Sequence, residues 1–346
     1  MSCVRALIVA LSLLIPALAH AEADTDPSHV VYEGTAGPGL GKKIVFIASD
    51  HEYRGEETLP AMARILAKRY GFKCTVIFGT NQADGTILPG SSNLHGLSVL
   101  KDADLMVIFM RFINMEDDEM QHFVDYVDRG GPIIGLRTST HAFQIPKDRK
   151  FYAYDWQYPG EEYKKGFGRQ VLGETWVSHY GTNHVQSSNL ELIDAQKEHP
   201  ILRGVKDVHV MAGAYTANPI EGSTVLANSL VLNGMTADSP RDEKKGPQPS
   251  VWVRNYKSKS GKEARIFATT QGASQDIVND GFRRLLLNAH FWCMGMDDQI
   301  KPDNSIEFVG PYTPTTFNFE LFRHQVKPAE LAGYDSPIMD EKKPLK

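Results

Sequence analysis

Cysteine is scarce, at 3 of 346 residues, which is too few for a disulfide-stapled scaffold. Positive charge is not in excess either: 37 Lys+Arg face 42 Asp+Glu, for a net charge of -5. A basic face of the kind that binds nucleic acid or an anionic membrane is therefore not expected. There is no internal repeat or low-complexity block, and beyond the N-terminal region no apolar run is long enough to cross a bilayer. What is present is an ordinary globular balance of 42% hydrophobic, 10% aromatic and 23% charged residues. That supplies a core and excludes a disordered or collagen-like chain.

The apolar run Ala6–Ala19 is interrupted only by Ser12 and Pro16, follows Arg5, and ends in Ala19-His20-Ala21. A positive start, a short apolar stretch and a small-x-small end are the pattern of a signal peptide over residues 1–21. About 14 apolar residues fall short of the roughly 20 that a spanning helix needs. The sequence thus predicts export, to a periplasmic or secreted location, with no membrane span after cleavage. Cleavage would leave Cys74 and Cys293, which read as two buried thiols or, in an oxidising compartment, as a bridge. Residues 22–41 are polar, bear Gly and Pro, and lack hydrophobic periodicity, so they read as a linker. Gly37–Lys43 imitates a phosphate-binding loop, but it lacks a Ser or Thr after the Lys and precedes a strand instead of following one.

From Lys43 the pattern alternates. Ile44, Val45, Phe46 and Ile47 form a continuous apolar run, as expected of a strand buried on both faces. Glu56–Tyr70 has apolar residues at helical spacing, with Gly71 at the left-handed cap position. Further strands are expected at Lys73–Phe78, Asp104–Met110 and Pro132–Leu136. A brief helix is expected at Leu94–Leu100, and a longer one capped by Asn114 and running to Arg129. Such alternation predicts an α/β fold, doubly wound, with a mainly parallel sheet and helices on both faces in flavodoxin-like style. The second half offers strands near Leu190–Ala195, Thr224–Leu232, Pro249–Tyr256 and Ala264–Thr270, then a helix over Asp280–Gly295. The domain so defined covers 42–297. Residues 298–346 form an extended C-terminal tail, expected to wrap the surface or a partner chain in a homo-oligomer.

In an open parallel sheet the crevice lies beyond the carboxyl ends of the strands. Here those ends carry Ser49-Asp50-His51-Glu52-Tyr53-Arg54, then Arg111, then Arg137-Thr138-Ser139-Thr140-His141. Each residue alone could be a loop residue or a cap; their joint placement points to a site. A second concentration follows, Gly166–Gly173 and then Glu174, Trp176, His179 and His184. His179 and His184 are five apart, unlike the four-residue spacing of a helical zinc pair. No cofactor is predicted, and a divalent metal held by His residues and one acid across segments stays open. Ser139 stands where a nucleophile elbow would lie, but there is neither a G-x-S-x-G nor a Cys there.

The ordered set Lys43-Ile-Val-Phe-Ile-Ala-Ser-Asp50, Gly130-Gly-Pro-Ile-Ile-Gly-Leu-Arg137, Gly173-Glu-Thr-Trp-Val-Ser-His179, His199-Pro-Ile-Leu-Arg-Gly204 and Ala264–Gly272 resembles the ThuA-like (trehalose utilisation) family. The resemblance implies a class I glutamine amidotransferase-like fold without the amidotransferase Cys. It also implies a role with trehalose, other glycosides or oxidised (keto) sugars. Family members often carry His where Arg137 stands, Asp near His141, an acidic pair where Gly213-Ala214 precede Tyr215, and Gly-His where Gly272-Ala273 stand. Metal binding and exact substrate are therefore not carried over.

The chemistry expected is that of an exported protein hydrolysing or isomerising a small carbohydrate ligand, a glycoside or keto-sugar derivative. Asp50 or Glu52 would act as general acid or base, and His141 and His179 as proton carriers. Arg111 and Arg137 would hold oxygens by forked donors, and Trp176 would stack on a sugar face. His51, Arg54 and His184 complete the substrate-binding set. The rival reading is a non-catalytic periplasmic sugar-binding or scaffold protein.

Overall fold

The chain is described here by a computed structural model covering residues 26–345, so the signal-peptide reading of 1–21 lies outside the described residues. The strands are β1 (His29–Glu33), β2 (Lys43–Ser49), β3 (Lys73–Phe78), β4 (Leu105–Met110), β5 (Ile133–Leu136), β6 (Ser178–His179), β7 (Ser188–Leu192), β8 (His209–Val210), β9 (Tyr215–Thr216), β10 (Thr224–Val231), β11 (Gln248–Lys257) and β12 (Glu263–Thr269). The α-helices are α1 (Gly55–Tyr70), α2 (Asp117–Asp128) and α3 (Asp280–Cys293). Ten strands form one mixed sheet in the order β1-β3-β2-β4-β5-β12-β11-β10-β7-β8, while β6 and β9 pair separately.

The five strands β3-β2-β4-β5-β12 are mutually parallel; the strands outside them pair antiparallel. The parallel centre follows from the sequence. Lys43–Ser49 is buried at every position after Lys43, with Phe46 facing the side covered by α1 and α3, and Val45 and Ile47 facing the side covered by α2. Each such fully buried Ile, Leu or Phe contributes about 2 kcal/mol. After β2 the chain crosses to β3 on one side and then returns past β2 to β4 on the other. The ends of β2 and β4 therefore flank a switch point, the position at which open α/β sheets place their ligand crevice.

Helix α1 stops where expected, because Gly71 takes φ 83 and its N–H returns to the carbonyls of Ala67 and Leu66. The other helix boundaries need correction. Asn114 does not cap α2; the cap is Glu116, and Asp117, Asp118 and Glu119 in the first turn favour the positive end of the dipole. The expected short helix at Leu94–Leu100 is a 3₁₀ segment at Leu97–Asp102. The segment taken as a linker contributes an edge strand, β1, antiparallel to β3. Its Val30 and Tyr32 are buried with hardly a polar break, too short a signal to detect among the neighbouring Gly and Pro. Cys74 and Cys293 are free and buried. Among the described residues no helix is long and apolar enough to cross a membrane.

Candidate active site

The turns after β2, β4 and β5 meet, and each bends through a left-handed backbone at a non-glycine residue: Arg54 (φ 62), Phe112 (φ 55) and Arg137 (φ 39). Side chains other than glycine adopt this region at a cost of order 1–3 kcal/mol, and such strain concentrates at functional sites. Buried hydrogen bonds hold the turns. Asp50 is sealed from solvent; its Oδ1 accepts from the backbone N–H of Glu52 at 3.0 Å and also from that of Tyr53, while Oδ2 accepts from the Thr138 hydroxyl at 2.9 Å. It ties the β2 turn to the β5 turn, with both carboxylate oxygens engaged by protein donors.

Arg137 is likewise wholly buried. It donates to the carbonyls of Gly213 (3.0 Å) and Thr270 (2.7 Å) and to the Tyr53 hydroxyl (3.0 Å). Its guanidinium lies between the rings of Tyr53 and Tyr215, 3.9 and 4.2 Å from their centroids. Burial alone would push it down, but the facing Tyr215 and Tyr53 outweigh that and keep it charged. Arg54 points away from the crevice, donating to the Leu321 carbonyl at 2.9 Å and pairing with Glu56 at 3.4 Å. These three residues, expected at the substrate, stand behind the site as supports. Ser139 is also sealed in, its hydroxyl donating to the Ile108 carbonyl at 2.8 Å.

The remaining expected residues face one another. Arg111 Nη1 pairs with Glu52 Oε2 at 2.6 Å, and Glu52 Oε1 accepts from Asn183 at 3.1 Å. His141 lies 5.0 Å from Phe112, 5.5 Å from Trp176 and 6.3 Å from Trp156, ring to ring. His179 follows, edge-on to Trp176 at 5.8 Å and to Tyr215 at 5.2 Å. His51 meets Phe319, and His184 stacks on Phe317 at 4.5 Å. The loop bearing Trp176 approaches closely because Gly168 has no side chain: a Cβ there would sit 1.9 Å from the Thr140 carbonyl oxygen.

The sequence reading missed Tyr53, Asn183, Phe112, Trp156, Tyr215 and the tail rings. Tyr53 lies within the turn that carries Asp50, His51, Glu52 and Arg54, where a neutral phenol has no charge or spacing to distinguish it. Asn183 carries no signal beyond standing beside His184.

Burial and the nearby guanidiniums set protonation. Burial, reinforced by Arg111 and Arg137, holds His141 well below the ordinary imidazole range. Partial burial, then Arg137 and Arg111, lowers His179 to about 4. Burial lowers His51 as well, against the pull of Asp50. Both His141 and His179 are therefore neutral at physiological pH; His141 is sealed from solvent like Asp50, whereas His179 is exposed and reachable. Burial raises the Tyr53 phenol, opposed by Arg137, so its hydroxyl keeps its proton.

Among the described residues no group of three or more His, Cys, Asp or Glu is placed to hold a metal. Glu52 is engaged by Arg111 and Asn183, and His179 Nε2 faces the Tyr53 hydroxyl. The donors present do not fit the divalent metal that the sequence left open.

Comparison with known proteins adds the following. The family model described as ThuA, trehalose utilisation, matches residues 44–293. Among solved structures, a ThuA-like protein from Parabacteroides merdae ATCC 43184 is 16% identical, with 80% of this chain and 96% of that one covered and a TM-score of 0.49. One from Bacteroides uniformis ATCC 8492 is 15% identical, with 78% and 98% covered and a TM-score of 0.45. No curated protein matches the chain.

Proposed function

Because the chain belongs to the ThuA family, described as trehalose utilisation and hence carbohydrate-related, we propose that it is an exported enzyme acting on a keto-sugar derivative or glycoside by acid/base chemistry. The observation that carries this reading is a buried His141 and an exposed His179, both neutral and both against Trp176 and Tyr215, with the Tyr53 hydroxyl on His179. A neutral imidazole has a lone pair that can take a proton from carbon next to a carbonyl; its lowered pKa makes it a weaker base, so this step needs the developing negative charge on oxygen to be stabilised. Arg111, whose one hydrogen-bond acceptor among the described residues is Glu52, would hold the oxygen on which charge develops. The aromatic walls would take the apolar faces of the sugar.

The same geometry weighs against a two-carboxylate glycosidase mechanism, which needs one free acid and one free carboxylate. Asp50 and Glu52 are both engaged by protein donors. A net hydrolysis would then run by removal of the proton next to the carbonyl, expulsion of the glycosidic oxygen as an alcohol that takes up a proton, and addition of water to the enone so formed, not by displacement on a carboxylate. That engagement of both acids also favours the second reading, a sugar-binding or scaffold protein without turnover.

The discriminating experiment incubates the purified protein with trehalose, other disaccharides and their keto forms in heavy water. The enzyme reading expects deuterium to enter carbon adjacent to the keto group, with loss of exchange in His179→Ala and its retention in Asp50→Asn. Saturable binding with neither exchange nor product establishes the binder. Export itself is tested by N-terminal sequencing of the secreted chain, expected to begin at Glu22.

A further inference from the structure

The family region ends at 293, yet the wall of rings around the site is completed by chain beyond it. The tail is pinned on both sides of residues 316–320. On one side the Tyr312 hydroxyl donates to the Ser274 carbonyl (2.7 Å), the Thr315 N–H to Glu57 Oε2 (2.7 Å), and the Ser274 hydroxyl to the Thr315 carbonyl (2.8 Å). On the other, Arg54 donates to the Leu321 carbonyl at 2.9 Å and lies over the Phe322 ring. Between these pins, Phe317 packs on Tyr53 at 5.2 Å and on His184, and Phe319 meets His51 at 5.2 Å with the Arg111 guanidinium 4.9 Å from its centroid.

The two phenylalanines differ in a way that packing does not explain. Phe317 is 1% exposed and is accounted for by its burial; Phe319 is 45% exposed. A large apolar ring left open to water gains little from folding, yet this one is held in place by flanking anchors beside the Glu52–Arg111 pair. We propose that Phe319 is a substrate platform supplied by the tail, and that it receives a sugar ring other than the one undergoing reaction. A pyranose presents C–H groups on one face, and these pack on the electron-rich face of an aromatic ring. The proton carrier His179 contacts Trp176, Tyr215 and Tyr53, whereas Phe319 meets His51 and Arg111. The Glu52–Arg111 pair stands between the two, linked to Phe319 through Arg111 and to Tyr53 through Asn183. With Phe319 and His179 as two subsites, the ligand expected across them is a disaccharide. This assignment rests on the carbohydrate reading above and adds to it the size of the substrate and the element that selects it.

Calorimetric titration of the purified protein with trehalose, its keto form and glucose tests the assignment. In Phe319→Ala, binding of the tighter disaccharide is expected to weaken by about tenfold, glucose binding to stay within about twofold, and the melting temperature to be unchanged because the ring is exposed. Phe319→Trp is expected to restore disaccharide binding. Unchanged disaccharide binding in Phe319→Ala overturns the platform while leaving the carbohydrate reading intact. Equal loss of glucose and disaccharide overturns the assignment to a second ring. Failure of the wild-type protein to bind any of the three sugars overturns the carbohydrate reading itself, and the platform with it.

Discussion

The Tyr53 hydroxyl stands 3.3 Å from Nε2 of His179, across 126 residues of chain. Its oxygen accepts from Arg137 Nη2 at 3.0 Å and from Asn183 Nδ2 at 2.8 Å. With Arg137 and Asn183 both donating to it, the Tyr53 oxygen is fixed in place, and its contact with Nε2 orients the His179 ring.

Tyr53→Phe is expected to lower kcat by about 100-fold with little change in KM, since the ring packing stays and only the hydroxyl contact that orients His179 is lost. Stability falls by about 1–3 kcal/mol, because the buried Arg137 and Asn183 donors lose an acceptor. Steady-state kinetics on the keto-sugar substrate and a urea melt check the two effects separately. A large rise in KM at unchanged kcat would place Tyr53 in binding instead.

The pH profile carries a second signature. His179 must be neutral to take a proton, and its pKa is lowered to about 4 from an ordinary 6.5. Activity should hold as pH falls from 8 to about 5 and be lost as pH drops through about 4. A kcat/KM profile that breaks near 6.5 would mean that the working base is an unperturbed imidazole and not this one.

Asp50 offers the opposite expectation, a structural loss with the chemistry kept. Asp50→Ala strands two buried backbone N–H groups and the Thr138 hydroxyl, costing about 3 kcal/mol. Asp50→Asn keeps an oxygen for the two N–H groups and turns an N–H toward the Thr138 hydroxyl, which can accept, so its cost is about 1 kcal/mol. Chemical denaturation of both variants, with the turnover of Asp50→Asn, separates this role from that of a general base.

These residues show what could be read in advance. Strands β2, β4 and β5 were legible because burial on both faces demands unbroken apolar runs, and a parallel layer places their ends at one rim. That identified the three turns holding Asp50, Glu52, Arg111, Arg137 and His141. The division of labour within the turns was not legible: Asp50 and Glu52 are two residues apart and both acidic, yet one ties backbone together and the other pairs with Arg111. Only the path of the chain, including positive φ at Arg54, Phe112 and Arg137, decides which side chain turns inward. Phe317 and Phe319 lay in a tail without periodicity, where local pattern carries no information about distant partners.

The Glu52–Arg111 pair should behave as a unit. Both side chains are largely withdrawn from water, at 8% and 13% exposure. Arg111→Met leaves a buried carboxylate with Asn183 as its remaining partner and is expected to cost about 3–5 kcal/mol. Adding Glu52→Gln removes the stranded charge and should recover at least half of that loss. A double-mutant cycle by urea melts reads the coupling; additive losses would show that the two charges do not depend on each other.

Acid sensitivity provides the last test, on a group remote from the crevice. His290 in α3 is 2% exposed, donates from Nδ1 to the Leu286 carbonyl at 2.7 Å, and packs on Phe46. Burial lowers its pKa to about 4, against the pull of that carbonyl, whereas an unfolded chain returns it to about 6.5. Below 6.5 the unfolded state binds the proton and the folded state does not, so stability declines as pH falls through 6.5 and continues to decline until about 4, where the native imidazole also protonates. The cost over that window is about 3 kcal/mol, and the lowered pKa values of His141 and His179 act in the same direction. Urea midpoints at pH 7 and pH 4.5 should therefore differ strongly in the wild-type protein and less in His290→Met, which fills the space without a titrating group. Equal pH dependence in the two would assign the acid sensitivity to the site histidines alone.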